Sequence, residues 1–501
     1  MLLKAVGPLM KLWAGAPSLA VGVEHKKTGG KGGYQDLSNP NSATVSGVAP
    51  TATITQIAYW PGGSATDNSA YAELTMPLVR KANGIPGVKQ LDFQVAARYD
   101  DLQQSMTSPV QNITIKQVGG ATTYSPALLT GAPEPLILGT TNYRSTNETA
   151  GFKYKPVDDV FFRWSYSTAF VPPIYSQLVI PISTGTISQT TGAYAGVPTT
   201  SPWPYSSITD PQLGNAVYTV PVMSGGNPNL RPETAKGMNW GVVFEPKFIN
   251  GLRISLDYVK VTKHDAIIAP TAATLIANAG SFPGRVIRGT PNAGQTVGPI
   301  VLIDNTNINA PEISTSSYNL QADYAFRTAS YGRFDFSAVA SSWQHYFIQS
   351  TIGGASVEQL SNPNTSAIGA GLGLAKFKGN LGVDWTMGSF SAGWLTRYVA
   401  PYTDGSRYGI GGAFPTQGTV NGWVSGQIYH DVYFGYKIGK ATMGASWWRN
   451  ALTNTSVQLG VRNVFNKVPP FDALGGFAPF WYSTYGDGRL ASYYFTLKKD
   501  F

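Results

Sequence analysis

Apolar and polar side chains alternate with a period of two in segment after segment of this chain, and no segment keeps a clean helical period. In Leu91-Asp92-Phe93-Gln94-Val95-Ala96-Ala97-Arg98-Tyr99 the odd positions are apolar and most even ones polar. Between Val160 and Phe170 the apolar set is Val160, Phe162, Trp164, Tyr166 and Phe170, with Arg163, Ser165 and Ser167 opposite. The pattern returns in Leu252–Tyr258, Leu320–Tyr324, Arg333–Ser337, Ile428–Ile438 and Val457–Arg462, and again behind the terminal Phe501. Successive side chains of a strand point to opposite faces. The chain therefore reads as antiparallel sheet, with about fifteen strand candidates.

Every such strand has one apolar face, and composition decides what covers it. Only 13% of the residues are charged, about half the roughly 25% usual in soluble domains. Aromatics reach 12%, yet mean hydropathy is a nearly neutral -0.08. No stretch approaches the ~20 apolar residues of a membrane helix. Apolar surface spread thinly over many strands is the signature of an all-β, transmembrane antiparallel β-barrel.

The connections point the same way. Short turns fall near Asn83–Gly87, Pro156–Asp159, Lys247–Gly251, Thr328–Gly332 and Gly388–Ser389. Between them lie long Gly/Pro/Ser/Thr/Asn-rich stretches near 29–66, 102–143, 171–232, 268–312, 348–370, 403–424 and 471–484. A soluble sandwich has no reason to sort its loops by length, whereas a membrane barrel has short periplasmic turns and long extracellular loops. A long connection precedes the last strand, so that strand runs inward and Phe501 ends on the periplasmic side. Single-chain bacterial barrels have an even number of strands, so fifteen implies one uncounted strand or an N-terminal portion outside the chain. Residues 1–22 read as two strand pieces around an Ala14-Gly15-Ala16-Pro17 turn; Lys11 interrupts the apolar core a signal peptide would need.

Several chemistries are excluded. With no cysteine there is no disulfide framework, thiolate metal site or Cys nucleophile. The four histidines, His25, His264, His345 and His430, lack metal-ligand spacing, and His430 falls on an apolar face as an interfacial residue would. Gly409-Ile410-Gly411-Gly412 has no following Lys-Ser/Thr and is no phosphate loop. The net charge of +9 is dispersed along the chain, which favours anionic surfaces or ligands over nucleic acid. No cofactor is implied.

Particular motifs carry a resemblance. Residues 226–237 read Gly226-Asn227-Pro228-Asn229-Leu230-Arg231-Pro232-Glu233-Thr234-Ala235-Lys236-Gly237. In order around them stand Glu73–Leu78, Ala97-Arg98-Tyr99-Asp100, Lys155–Asp159 leading into Ser165–Pro173, Gly460–Pro470, and Gly488-Arg489. This ordered set, with its terminal Phe, resembles the TonB-dependent outer-membrane receptors of Gram-negative bacteria, and the first segment resembles their NPxLxPE motif. The resemblance implies a barrel of about 22 strands plugged by a separate N-terminal domain. It also implies uptake of scarce ligands such as iron–siderophore chelates, cobalamin or oligosaccharides, with energy from the TonB–ExbB–ExbD complex, and no enzymatic activity. No plug and no TonB-box segment are legible here, so residues 1–501 are expected to be one barrel domain of about 14–16 strands, a fragment of that architecture. TonB would be a partner only where a plug is supplied.

The polar strand faces supply candidate lumen residues: Asp92, Arg98, Arg163, Arg253, Asp257, Asp323, Asp335 and Arg462. Their mixed signs favour mutual pairing over one selective charge ring. Asn227, Pro228, Leu230, Pro232 and Glu233 are expected to shape the end of a long loop, with Glu233 pairing Arg231 or capping a turn. Tyr493, Phe495, Leu497 and Phe501 share one strand face. By resemblance they form the signal read by the outer-membrane barrel assembly machinery, and they also suit an interfacial aromatic girdle in outer-membrane lipid. Loop aromatics, Trp203, Tyr205, Trp423, Trp481 and Tyr482, are available to stack on a ligand or on one another. Two other readings stand beside the receptor: a passive porin-like or adhesin-like barrel, and a secreted β-rich carbohydrate-binding or hydrolytic protein. The latter would need paired carboxylates in a cleft.

Overall fold

In the computed structural model the described residues are 1–30, 33–36, 57–60, 63–80, 83–107, 114–118, 121–125, 137–178, 187–188, 194–201, 203–349, 354–360, 374–404, 422–439, 452–472 and 482–499. Fifteen strands follow one another in chain order across a single large sheet. They are β1 (Leu2–Pro8), β2 (Ser18–Gly30), β3 (Gly63–Val79), β4 (Gln90–Thr107), β5 (Ile137–Val157), β6 (Val160–Val171), β7 (Glu233–Phe244) and β8 (Leu252–Ile268). Then come β9 (Ile308–Thr328), β10 (Gly332–Gln349), β11 (Phe377–Met387), β12 (Phe390–Val399), β13 (Gln427–Lys437), β14 (Thr455–Arg462) and β15 (Ser492–Lys499). A short sixteenth strand, Ser356–Glu358, pairs on β10. The strand count expected from alternation is met, and the residues before β3 form two strands around a turn closed by the Leu12–Gly15 bridge.

All successive pairs are antiparallel, and the connections are sorted as expected. At one end lie residues 9–17, 80–89, 158–159, 245–251, 329–331, 388–389 and 438–454; at the other lie 31–62, 108–136, 172–232, 269–307, 350–376, 400–426 and 463–491. Gly332 shows how tightly the short end is built. Its φ is 82°, and a Cβ there would overlap the Thr386 carbonyl oxygen on β11, so only glycine turns the chain at this point. β1 and β15 stand at the two ends of the strand order, and among the described residues no pairing joins them. Both run from the long-loop end to the short-turn end, so direct pairing between them would be parallel.

Register sorts the side chains into two faces. One carries Phe152, Trp164, Trp240, Tyr258 and Tyr318 across five adjacent strands, with ring centroids 5.7 Å (Phe152–Trp164), 5.8 Å (Trp164–Trp240) and 5.1 Å (Tyr258–Tyr318) apart. Toward the short turns it continues as Phe326 against Phe334 and Phe390 against Tyr436. Among the described residues nothing covers this face: Trp240 is 50% exposed and Leu459 57%. A sheet in water would not leave such a belt open; hydrocarbon is its natural solvent. No described helix is long and apolar enough to cross a membrane.

The best buried apolar cluster lies outside the sheet. The long connections 172–232 and 269–307 fold on each other around Val197, Ile208, Tyr218, Val220, Val222, Leu275, Ile300 and Ile303. Four short strands run side by side there in the order Tyr205–Asp210, Ala216–Gly225, Ile300–Thr306, Val286–Arg288. The helix Ala272–Ala277 is capped by Thr271, whose side chain accepts from the Thr274 N–H.

Candidate functional site: the polar face and the folded loops

Most of the charges on the polar face are paired with opposite ones. Arg163 on β6 donates Nε and Nη2 to the two carboxylate oxygens of Asp257 on β8, at 2.8 and 2.5 Å. Arg98 donates to Asp100 (2.8 Å), Glu24 (3.2 Å) and Ser69 (2.8 Å). Asp92 accepts from Gln90 at 2.5 Å and pairs with Arg80 at the turn. Arg253 reaches Glu245, Asp323 accepts from Gln321, and Arg333 pairs with Asp335. Arg462 lies over the Tyr494 ring, 5.7 Å from its centroid. Of the eight residues picked from sequence, only Arg163 and Asp257 pair with each other; the rest find neighbours and do not converge. The four aspartates of the set each accept a side-chain hydrogen bond.

The NPxLxPE-like segment is a clasp at the long-loop end. Asn227 donates to the Asn307 carbonyl at 3.0 Å and accepts from the Asn229 N–H. Leu230 is buried against Leu178 and Ile267. Pro228 lies in the turn and Pro232 immediately before β7, where neither needs a backbone donor. Glu233 does not pair Arg231 as sequence suggested. It accepts from Lys263 Nζ at 2.7 Å and the Ile267 N–H at 2.6 Å, and Arg231 turns to Asp265 instead. Register explains the difference: β7 and β8 set Thr234 opposite His264, which brings the β8 side chains beside Glu233.

The folded loops hold an acid that sequence reading missed. Asp210 is fully buried. Arg288 grips both its oxygens at 2.8 Å, Tyr218 donates to Oδ2 at 2.7 Å, and the Gln212 N–H donates to Oδ1 at 3.1 Å. Burial alone would push this carboxyl upward, but the bonds from Arg288 and Tyr218 outweigh it and hold it below its ordinary value. Burial and the adjacent carboxylate push the Tyr218 hydroxyl far up, so it stays a donor. The signals available in sequence were the Asp210-Pro211 pair and the apolar run Ile300-Val301-Leu302-Ile303. A second buried network joins two other long connections. Tyr402 donates to Asp472 at 2.9 Å and lies 2.8 Å from the Ser483 hydroxyl, which also accepts from Gln427 at 2.6 Å.

Below the clasp, on the polar face, is a cavity of about 400 Å³ lined by Val261, Lys263, Ile313, Thr315, Trp343 and Tyr346. Two aromatic rings and apolar walls, with the Lys263 ammonium held by Glu233, suit a flat small molecule. Among the described residues no cluster of His, Asp and Glu could hold a metal ion. His430 stands on the apolar face, 3.0 Å from the Thr396 hydroxyl and ring to ring with Trp394 and Phe465. Trp203 is buried and Trp423 exposed. Tyr493, Phe495 and Leu497 share the apolar face of β15, opposite Val461, Leu459 and Val457. Phe501, Trp481 and Gly409–Gly412 lie outside the described residues.

One face for lipid, one of paired charges, and loops sorted by length define a barrel of the outer-membrane type. The model of the family described as "TonB dependent receptor-like, beta-barrel" matches residues 9–464, and the chain belongs to that family. Its members are TonB-dependent receptors of the Gram-negative outer membrane. Among solved structures, the siderophore receptor PirA from Acinetobacter baumannii is 13% identical, with a TM-score of 0.51 over all of this chain and 62% of PirA. The ferric enterobactin receptor PfeA from Pseudomonas aeruginosa is 13% identical over 97% of this chain and 60% of its own, with a TM-score of 0.48. The ferric-catecholate import receptor Fiu from E. coli K12 is 14% identical over 90% and 48%, with a TM-score of 0.47. No curated protein matches the sequence. The chain thus spans less than two thirds of the length of these receptors.

Proposed function

We propose that residues 1–501 form, as one barrel domain, the membrane-spanning wall and extracellular loops of an outer-membrane receptor for a small, scarce ligand of the iron–siderophore class. The observation that carries this reading is the coupling of a polar wall whose charges are mostly paired to loops folded above it at the long-loop end. A wall whose charges are paired holds little net attraction of its own, which leaves selection to the loops and to the aromatic cavity at Trp343 and Tyr346. The name of PirA supports the ligand class. Energised uptake needs a plug that TonB can engage, so TonB is a partner where a plug is supplied to this wall. The polar residues Asp92, Arg98, Arg163, Arg253, Asp257, Asp323, Asp335 and Arg462 face the lumen in this reading. The apolar face of β15 is what the barrel assembly machinery reads.

The chain, directed to the outer membrane of a Gram-negative host and extracted in mild detergent, is expected to show heat-modifiable gel migration. It is also expected to quench its tryptophan fluorescence with a ferric catecholate. A soluble product without heat-modifiability defeats the barrel; a heat-modifiable barrel that conducts ions but answers no ferric chelate defeats the receptor and favours the porin-like reading.

A further inference from the structure

On the lipid-type face the apolar belt ends abruptly at two lysines. β7 places Met238, Trp240 and Val242 on this face, and then Lys236 toward the long-loop end. β8 places Leu256 and Tyr258 there, and then Lys260. Lys236 stands opposite Thr262 and Lys260 opposite Met238, so the two are diagonal neighbours, roughly 7–8 Å apart at the backbone. Both are exposed. Among the described residues neither forms an ion pair with an acid on this side. Glu312 faces His264 at 3.9 Å and Glu358 faces His345 at 3.0 Å, while Glu148 lies in the row of Lys236 across Thr168, whose hydroxyl accepts from the Glu148 N–H, and forms no ion pair with the lysine.

Two unpaired ammonium groups side by side repel each other, and hydrocarbon beneath them offers no counter-ion. They sit where an apolar belt meets a polar rim that supplies hydroxyls. Thr168 is opposite Lys236, and Thr262 and Ser314 are 3.4 Å apart on the next strands. An oxyanion with several acceptor oxygens would satisfy both cations and the hydroxyls at once. The belt directly below supplies a bed for acyl chains along Met238, Trp240, Tyr258 and Tyr318. We propose that Lys236 and Lys260 form a docking site for the phosphate headgroup of an outer-leaflet lipid. Continuity with the apolar belt selects a lipid over free phosphate. The site rests on the membrane-barrel reading, because it needs this face to meet lipid.

The test uses the full chain purified in mild detergent and presented with bis-phosphorylated lipid A in mixed micelles. A phosphatase-treated sample of the same lipid and inorganic phosphate serve as further probes. Wild type is expected to bind the phosphorylated lipid and not the dephosphorylated one. Lys236→Gln/Lys260→Gln should lose about thirtyfold in affinity, the weight of two lysines near a charged membrane surface. Lys236→Arg/Lys260→Arg should retain binding. Equal binding of both lipids, unchanged binding by the Gln variant, or inorganic phosphate binding as tightly as the lipid would each overturn the site. Heat-modifiable migration is scored separately. A wild-type chain that lacks it overturns the barrel reading, whereas a heat-modifiable chain that ignores the phosphorylated lipid overturns only this proposal.

Discussion

Arg163 and Asp257 are bound to each other across a strand that lies between them. Arg163 on β6, Gly241 on β7 and Asp257 on β8 fall in one row of the sheet. A Cβ at Gly241 would overlap Asp257 Oδ1 and crowd the Arg163 guanidinium. Glycine is therefore the floor on which the bidentate pair lies. Gly241→Ala is expected to lower stability by about 1–3 kcal/mol, limited by the partial exposure of Arg163. Urea unfolding in detergent micelles measures it. If the loss is unchanged in an Asp257→Asn background, the ion pair is not its cause.

The Asp210 network should make the folded loops sensitive to acid. Its carboxyl is held below the ordinary value, so its contribution is complete above about pH 4 and fades as pH falls through the lower folded value. Tyr194 and Tyr218 stack 4.4 Å apart beside it and report loop order. Their near-ultraviolet dichroism should fade on acidification in the wild type. In Asp210→Asn it should start weaker and stay flat with pH. A wild-type signal indifferent to acid would contradict this account.

Glu233→Ala removes the acceptor for Lys263 and for the Ile267 N–H. The orphaned groups predict a loss of about 1–3 kcal/mol, confined to the clasp. Hydrogen exchange should quicken at Ile267 and Asn309 while amides of β11 and β12 stay protected. Uniform quickening through the sheet would mean that the clasp is not a separate unit.

Asp158, at the short-turn end, accepts from Lys247 at 2.6 Å and Lys89 at 2.8 Å. The two lysines, Lys247 first, hold its carboxyl well below the usual range. All three groups are solvent-exposed, where such pairs contribute little. Asp158→Asn should leave the urea midpoint unchanged at moderate salt, in contrast to Gly241→Ala.

The β15 side chains Tyr493 and Phe495 face outward, at 81% and 62% exposure. Replacing both by Ser should slow appearance of the heat-modifiable form in cells while leaving refolding into detergent intact. Equal slowing in both settings would assign the residues to stability rather than to recognition.

Strand existence, face assignment and loop sorting were legible because each depends on neighbours two residues apart. Trp164, Tyr166 and Arg163 declare their faces wherever the strand pairs. What was not legible depends on register. The choice of Lys263 rather than Arg231 for Glu233, and the meeting of Arg163 with Asp257 over Gly241, follow from which residues stand opposite, and alternation is silent on that. The folded loops were least legible, since Asp210, Tyr218, Arg288 and Ile300 converge from two connections far apart in sequence. In a barrel the period-two pattern answers to lipid on one side and water on the other, both present along the whole sheet. A packed core answers only to contacts that exist once the chain has folded. Sequence alone therefore determined the wall, and tertiary structure decided what the loops above it hold together.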